Sequence, residues 1–347
     1  MKHYLGYKAG PGVLAMVRDE GLTPQRVRVF AGPAGGPKWF VSVGFDKAVM
    51  NARWLESAGH RVLLVGASAG AWRCLAMACS DSLTAYENLR ISYSRNTFTA
   101  ADTPVTVAEA LKRNVEDFLG QEDVPYILEH PHFDVGVHVV RGRGPGASDT
   151  KWVQGSALLA AALCNVCSRR GTELFFQRIL FFSGKQTPAF VPGEFSGRAV
   201  RLTRGNLRAA ALATGSLPYV IAGVRDVPDA PRGTYRDGGL VDYQLNQNYG
   251  PGTEALTLFF HYQERIVPGW LDKPLTWRRP QPAALDRLLQ VFPLPEFVKL
   301  LPDGRIPDRN DFRTFVNDPA ERIRRWDKVS ELSDILGEEF MNDVASG

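Results

Sequence analysis

The sequence predicts an α/β protein built round a layered, mostly parallel sheet. Short β-branched and aliphatic runs recur along the chain, two of them lead into glycine, and helix-compatible stretches separate them. The chain has 347 residues, 44% of them hydrophobic, so a large core is easily buried. The whole chain, 1–347, is read as one domain, with its motifs between about 26 and 246 and an extension over about 247–347.

Taken in order, Arg26–Phe30 alternates polar and apolar residues and runs into a Gly-rich turn. Arg61–Val65 is a buried strand ending at Gly66, and a helix is expected over Ala71–Ser80. Phe133–Val140 is the next strand, closed by the turn-rich segment Arg141–Asp149, and Leu256–His261 is a later one. Pro268–Pro282, rich in Pro and Trp, reads as a surface loop. In the charged tail, Ile323, Trp326, Val329, Leu332, Ile335 and Phe340 form one apolar stripe, on one helix or on two broken at Gly337. That stripe is expected to pack on the main body, with a partner or membrane surface as the other reading.

Several classes are disfavoured. The longest apolar stretches fall well below the roughly 20 residues that span a bilayer. The N-terminal residues contain no hydrophobic run of signal-peptide length, and four cysteines form no dense framework. A cytoplasmic location is expected, with peripheral membrane contact left open. The net charge of +4 mildly favours anionic surfaces, but Lys and Arg form no block, so nucleic acid is not expected as a partner. Oligomeric state is not legible.

Gly66-Ala-Ser-Ala-Gly70 stands between an expected strand and an expected helix, the context a nucleophilic serine requires. A tight strand-to-helix turn pushes the Ser68 hydroxyl outward, and side chains at Gly66 and Gly70 would collide with the neighbouring strand and helix. The N–H of Ala69, at the helix start, points to where an oxyanion forms. Upstream, Gly32-Pro-Ala-Gly-Gly-Pro-Lys-Trp39 offers Gly35 and Gly36 as further N–H donors, whereas Pro37 has no N–H. The loop lacks a nucleotide-binding pattern; a plain tight turn is the other reading.

Tyr235-Arg-Asp-Gly-Gly-Leu-Val-Asp242 is the third segment, preceded by a helix-like run from Asn206 that ends at Ser216-Leu-Pro218. A serine needs a base. None of the six histidines lies in a turn that would present it, and Asp237 serves if burial lifts its pKa above the usual 3.9 or so. The residues alone leave carboxylate and histidine both open.

Together the three segments resemble the patatin-like phospholipases over about 26–246. The matching residues are Gly35-Gly36-Pro37-Lys38, Gly66–Gly70 and Asp237-Gly238-Gly239, in the family's order, and Ala211–Pro218 resembles its helix before the aspartate. The resemblance implies a three-layer α/β/α sandwich and a Ser68–Asp237 dyad without histidine. It also implies an oxyanion hole at Gly35, Gly36 and Ala69, hydrolysis of fatty acyl esters, a lipid or other acyl-ester substrate, and no metal or cofactor. The chain departs from the family at Ala34 and Trp39, and at Tyr243-Gln-Leu245, where an Asn-x-Pro often follows the aspartate. The competing functions are an α/β-hydrolase with His261 in a triad and a non-catalytic lipid-binding scaffold.

Other signals are read as structural. Cys164-Asn-Val-Cys167 lacks a second pair for zinc and is expected as buried thiols. Trp39, Phe40 and Trp72 line an acyl pocket or pack the core. Phe175, Phe176, Phe181 and Phe182 form a buried helix, or else a lid or lipid-facing surface.

Overall fold

Val62–Ala67 shows how the sheet is built: all six residues are buried, and its side chains alternate between two cores. Val62 and Leu64 join the largest apolar cluster, and Leu63 and Val65 join a second on the other face. A strand covered on both sides reads as a continuous aliphatic run. A computed structural model describes residues 2–99, 101–186, 196–244, 247, 249 and 255–346.

Among these residues, ten strands form one mixed sheet: β1 (Leu5–Ala9), β2 (Val27–Gly32), β3 (Val62–Ala67), β4 (Phe133–Gly142), β5 (Phe176–Phe182), β6 (Gly197–Arg201), β7 (Val224–Arg225), β8 (Thr234–Asp237), β9 (Leu256–Phe260) and β10 (Leu288–Pro293). The order is β1-β10-β9-β2-β3-β4-β5-β6, with β8 also on β4 and β7 on β8. The centre from β10 to β4 is parallel, while β1 runs antiparallel to β10, β5 and β8 run antiparallel to β4, and β6 runs parallel to β5. Helices flank the sheet. Strands β9 and β10, from the last hundred residues, lie beside β2 in the same sheet rather than in an appended unit. The border at 246, and Leu245, lie outside the described residues. No helix among the described residues is long and apolar enough to cross a membrane.

Four local expectations change. The Phe-rich segment is strand β5, neither a helix nor a lid: Phe176, Phe181 and Phe182 are buried because cover lies on both faces. The tail is two helices, Pro319–Leu332 and Asp334–Ser346, broken at Ser333 rather than at Gly337. The Ser333 hydroxyl accepts the Gly44 N–H at 2.8 Å, and Gly337 sits inside the second helix with its backbone against Gly44. Trp326, Val329, Leu336 and Phe340 are buried against the main body. Cys164 is only half-buried and Cys167 exposed, because helix Lys151–Cys167 buries the face carrying Ala157, Leu158, Ala161 and Asn165. The segment after Pro268 is partly interior: buried Asp272 pairs with Arg169 and accepts Asn165 Nδ2 at 2.7 Å and Gly269 N–H at 2.9 Å.

Candidate active site

Strand lengths bring the serine and the aspartate together. β4 has ten residues and outruns β3, whose last residue, Ala67, pairs with His138. From the next position on, β4 pairs with β8 running the opposite way: Asp237 faces Val139, and Arg236 faces Val140. β8 thus fills the edge of β4 that β3 vacates, and the two strand ends meet head to head. Ser68 follows one end and Asp237 is the other, at neighbouring steps of β4.

The turn at Ser68 is strained as expected. Ser68 has φ 54° and ψ −133°, a conformation a β-carbon disfavours, and helix Ala69–Met77 starts at the next residue. The strain is held by backbone contact. A β-carbon on Gly70 would sit 2.2 Å from Gly32 O, one on Gly66 would sit 2.6 Å from Gly70 C, and one on Gly32 would sit 2.5 Å from Gly70 O. The three glycines let the helix start press directly on β2 and β3. Thr214 fixes the turn from above: its hydroxyl accepts the Ser68 N–H at 2.8 Å and donates to His138 O at 2.6 Å.

Asp237 is held as firmly. Its N–H donates to Ser216 O at 3.1 Å, and its Oδ1 accepts the Gly239 N–H at 2.7 Å. Gly238 lies against His138 O, where a β-carbon would come within 2.2 Å. Five residues on, buried Asp242 ties the turn to the sheet by a two-bond pair with Arg178 of β5, at 2.7 and 2.8 Å. Burial pushes the Asp242 carboxyl upward, but Arg178 and His138 outweigh it and hold it well below the usual range. Asp237 shows the opposite balance. Burial raises its pKa, and Arg309, the Gly239 N–H, a hydrogen-bonding interaction with the Ser68 side chain, and Lys273 offset only part of the rise. Ser68 and Asp237 are 6% and 3% exposed, so the pair lies in a nearly dry environment.

Three N–H groups lie free near this pair. Among the described residues, those of Gly35, Gly36 and Ala69 meet no protein acceptor. Gly36 has φ 58° and starts the short helical turn Gly36–Ser42; Ala69 is the first residue of its helix, where an N–H has no partner within the helix. Tyr262 anchors the loop, donating from its hydroxyl to Ala34 O at 2.8 Å, and the Ala34 N–H reaches Tyr243 O at 2.8 Å. Lys38 stands over the Tyr262 ring, 5.0 Å from its centroid.

His261 lies elsewhere. It follows β9, which β2 separates from β3, so two strand spacings, roughly 9–10 Å, lie between their axes. Its Nδ1 meets Gln263 O, its Nε2 has no partner among the described residues, and burial lowers its pKa to about 3, with Lys38 and Arg73 adding to the fall. His138, though in β4, turns to Asp242 and the Tyr249 hydroxyl. Trp39, Phe40 and Trp72 are buried in the main core, with the first two stacked at 4.8 Å, and do not line the cleft described below. Among the described residues, no group of three or more His, Cys, Asp or Glu side chains is placed to hold a metal ion.

Beside the Gly35–Gly36 loop opens a cleft of about 370 Å³, lined by Gly35, Lys38, Tyr243, Arg265, Lys273 and Arg309 among others. Neither Ser68 nor Asp237 lines it directly. Sequence reasoning missed Thr214, Asp242, Arg178 and the rim residues Arg265, Lys273 and Arg309. Only Thr214 and Asp242 carried a signal, as polar residues inside apolar segments beside the motifs. No family model matches the chain, and no curated protein sequence matches it.

Proposed function

We propose that the protein is a serine acyl-ester hydrolase of the patatin-like type, a three-layer α/β/α enzyme acting on lipid esters. The observation that carries this reading is the head-to-head meeting of a strained Ser68 with a buried Asp237, beside three free N–H groups. Ser68 Oγ attacks the acyl carbonyl while Asp237 takes its proton. The carbonyl oxygen becomes an oxyanion, received by the N–H groups of Gly35, Gly36 and Ala69. Collapse expels the alcohol, which takes the proton back from Asp237, and leaves an acyl-Ser68. A water then attacks that ester, with Asp237 again accepting the proton, and the acid leaves as Ser68 regains its hydrogen.

Burial suits Asp237 to this role, because a raised pKa makes its carboxylate a stronger base. The triad alternative draws no support from His261, which follows β9 and has no carboxylate partner among the described residues. Contact with a membrane surface belongs to the proposal and is supported by exposed Trp152, Leu159 and Leu163 on helix Lys151–Cys167. A fluorophosphonate tests the core of it. Wild type should be labelled at Ser68 and should hydrolyse p-nitrophenyl esters, and Ser68→Ala should do neither. Labelling that persists in the variant removes the nucleophile assignment.

A further inference from the structure

The cleft beside Gly35 collects positive charge. Lys38, Arg265, Lys273 and Arg309 line it, against Asp308 as the one carboxylate among its lining residues, an excess of three positive charges. These side chains come from three separate stretches of chain. Among the described residues none of the four makes an ion pair with a carboxylate within 4.0 Å. Lys38 and Lys273 rest instead on the faces of Tyr262 and Tyr243, at 5.0 and 4.2 Å. Arg265 gives one N–H to Leu275 O at 2.8 Å, and its Nε has no partner. Arg309 lies over the oxyanion loop, its Nε 3.1 Å from where a β-carbon on Gly36 would be.

Gathering like charges in one concavity costs free energy until an anion enters, and the cost is visible. Burial and then Arg309 lower the Lys38 pKa against the pull of Asp308. Lys273 is lowered too, first by the atoms crowding its ammonium and then by Arg309 and Lys38, although its exposed side chain lets solvent screen part of that repulsion. Such a lining is hostile to an acyl chain, so the cleft faces the alcohol side of the ester. Two guanidinium forks and two ammonium groups converging from several directions match a phosphate, whose oxygens also point several ways.

We propose that this cleft is an anion-binding subsite, and that the substrate is an acyl ester whose alcohol portion carries a phosphate with net negative charge, held by Arg265, Lys273 and Arg309. The assignment of the phosphate to a substrate rests on the hydrolase reading; the anion site itself does not. Neutral and zwitterionic esters lack the net charge the cleft is built to receive, so selection among lipids takes place at this rim.

Monomeric dihexanoyl phosphatidic acid and dihexanoyl phosphatidylcholine carry the same acyl chains and differ in headgroup charge. Wild-type kcat/KM should be at least about tenfold higher for the phosphatidic acid, and Lys273→Gln and Arg309→Gln should each cut that preference by about tenfold. Lys273→Arg should keep most of it, and added salt should erode it. Equal kcat/KM for the two lipids, or a preference unmoved in both glutamine variants, overturns the subsite and leaves the hydrolase reading intact. Calorimetric binding to the Ser68→Ala protein separates the two ideas. Phosphatidic acid that binds there, and is released by Lys273→Gln, supports the subsite even if wild type cleaves neither lipid, a result that would sink the hydrolase reading alone. Absence of phosphatidic acid binding overturns the subsite. Inorganic phosphate that binds as tightly as the lipid overturns the substrate assignment, since the site would then take free phosphate.

Discussion

On one side of the site, the backbone atoms of Gly32, Gly66 and Gly70 touch one another; on the other, four cations share a cleft without an ion pair among the described residues. The first region is fixed by repulsion at short range. A single methyl group added there meets carbonyl atoms at 2.2–2.6 Å, and the register of β3, β4 and β8 places Ser68 and Asp237 to within one residue step. The second region is fixed by long side chains at the surface, over which charge acts at a distance and in partial solvent. On the proposed hydrolase reading, the difference separates two properties: reactivity would belong to the rigid, glycine-packed floor, and choice of substrate to the adjustable cationic rim.

The sharpest break would come from the floor's base. Asp237→Asn should lower kcat by roughly 10⁴-fold or more in an ester hydrolysis assay, since it keeps the shape and removes the basicity. The same variant should melt at a higher temperature than wild type. Burial raises the folded-state pKa of Asp237, so the folded protein holds that proton more tightly than the unfolded chain does. The stabilising effect of the protonated form is fully present below the unfolded pKa and is lost as pH rises through the raised folded pKa. Asparagine stands in for the protonated form, so its advantage should grow over that interval and then stay constant. The acidic limb of the kcat profile should fall in that raised range rather than near 3.8. A destabilised Asp237→Asn protein would contradict the account of burial.

Gly36→Pro is next in size. It deletes one oxyanion donor, typically worth 10²–10³ in kcat, and it forces a residue restricted to φ near −65° into a position at φ 58°, which adds to the loss. An unchanged kcat in a folded Gly36→Pro protein would make the loop a plain turn. Gly70→Ala should act through packing, destabilising the protein by about 1–3 kcal/mol or more in urea titration, because the added carbon meets the backbone of β2. Thr214→Val removes the acceptor for the Ser68 N–H and the donor to His138 O, and should cost about 1–3 kcal/mol of stability. It should also slow kcat more than it raises KM, since the serine turn loosens while the rim is untouched; an equal change in both would assign Thr214 to folding alone.

The smallest effect expected is at the histidines. His261→Ala should retain activity within a few fold of wild type, whereas loss of a general base costs about 10²–10⁴. A collapse of kcat there would erase the contrast between floor and rim and bring back a histidine-dependent mechanism.

The legible part of the molecule was the part where few residue types fit. The buried parallel strands show as aliphatic runs because both faces are covered, and the glycines at 32, 66 and 70 show because no side chain can occupy those contacts. Gly238 shows for the same reason, lying on His138 O. The Phe-rich segment is not legible as a strand, because a strand buried on both faces and a buried helix share one composition, and only the β4 pairing separates them. The apolar stripe in the tail allows one helix or two broken at Gly337, but the glycine serves close packing inside the second helix, and the Ser333 hydroxyl bonds at the break.

By itself, then, the sequence determined an α/β sheet, a strained serine turn, an N–H-rich loop and an aspartate turn, each written in a few consecutive residues by local sterics. Only the tertiary structure decided that β8 fills the edge β3 leaves on β4, setting Asp237 against Ser68, and that Thr214 and the Arg178–Asp242 pair hold the two turns. It alone gathered Lys38, Arg265, Lys273 and Arg309, more than two hundred residues apart at the extremes, round one opening. The physical reason is range: steric exclusion acts between neighbours and leaves a mark in the local sequence, while charges meet wherever the folded chain carries them.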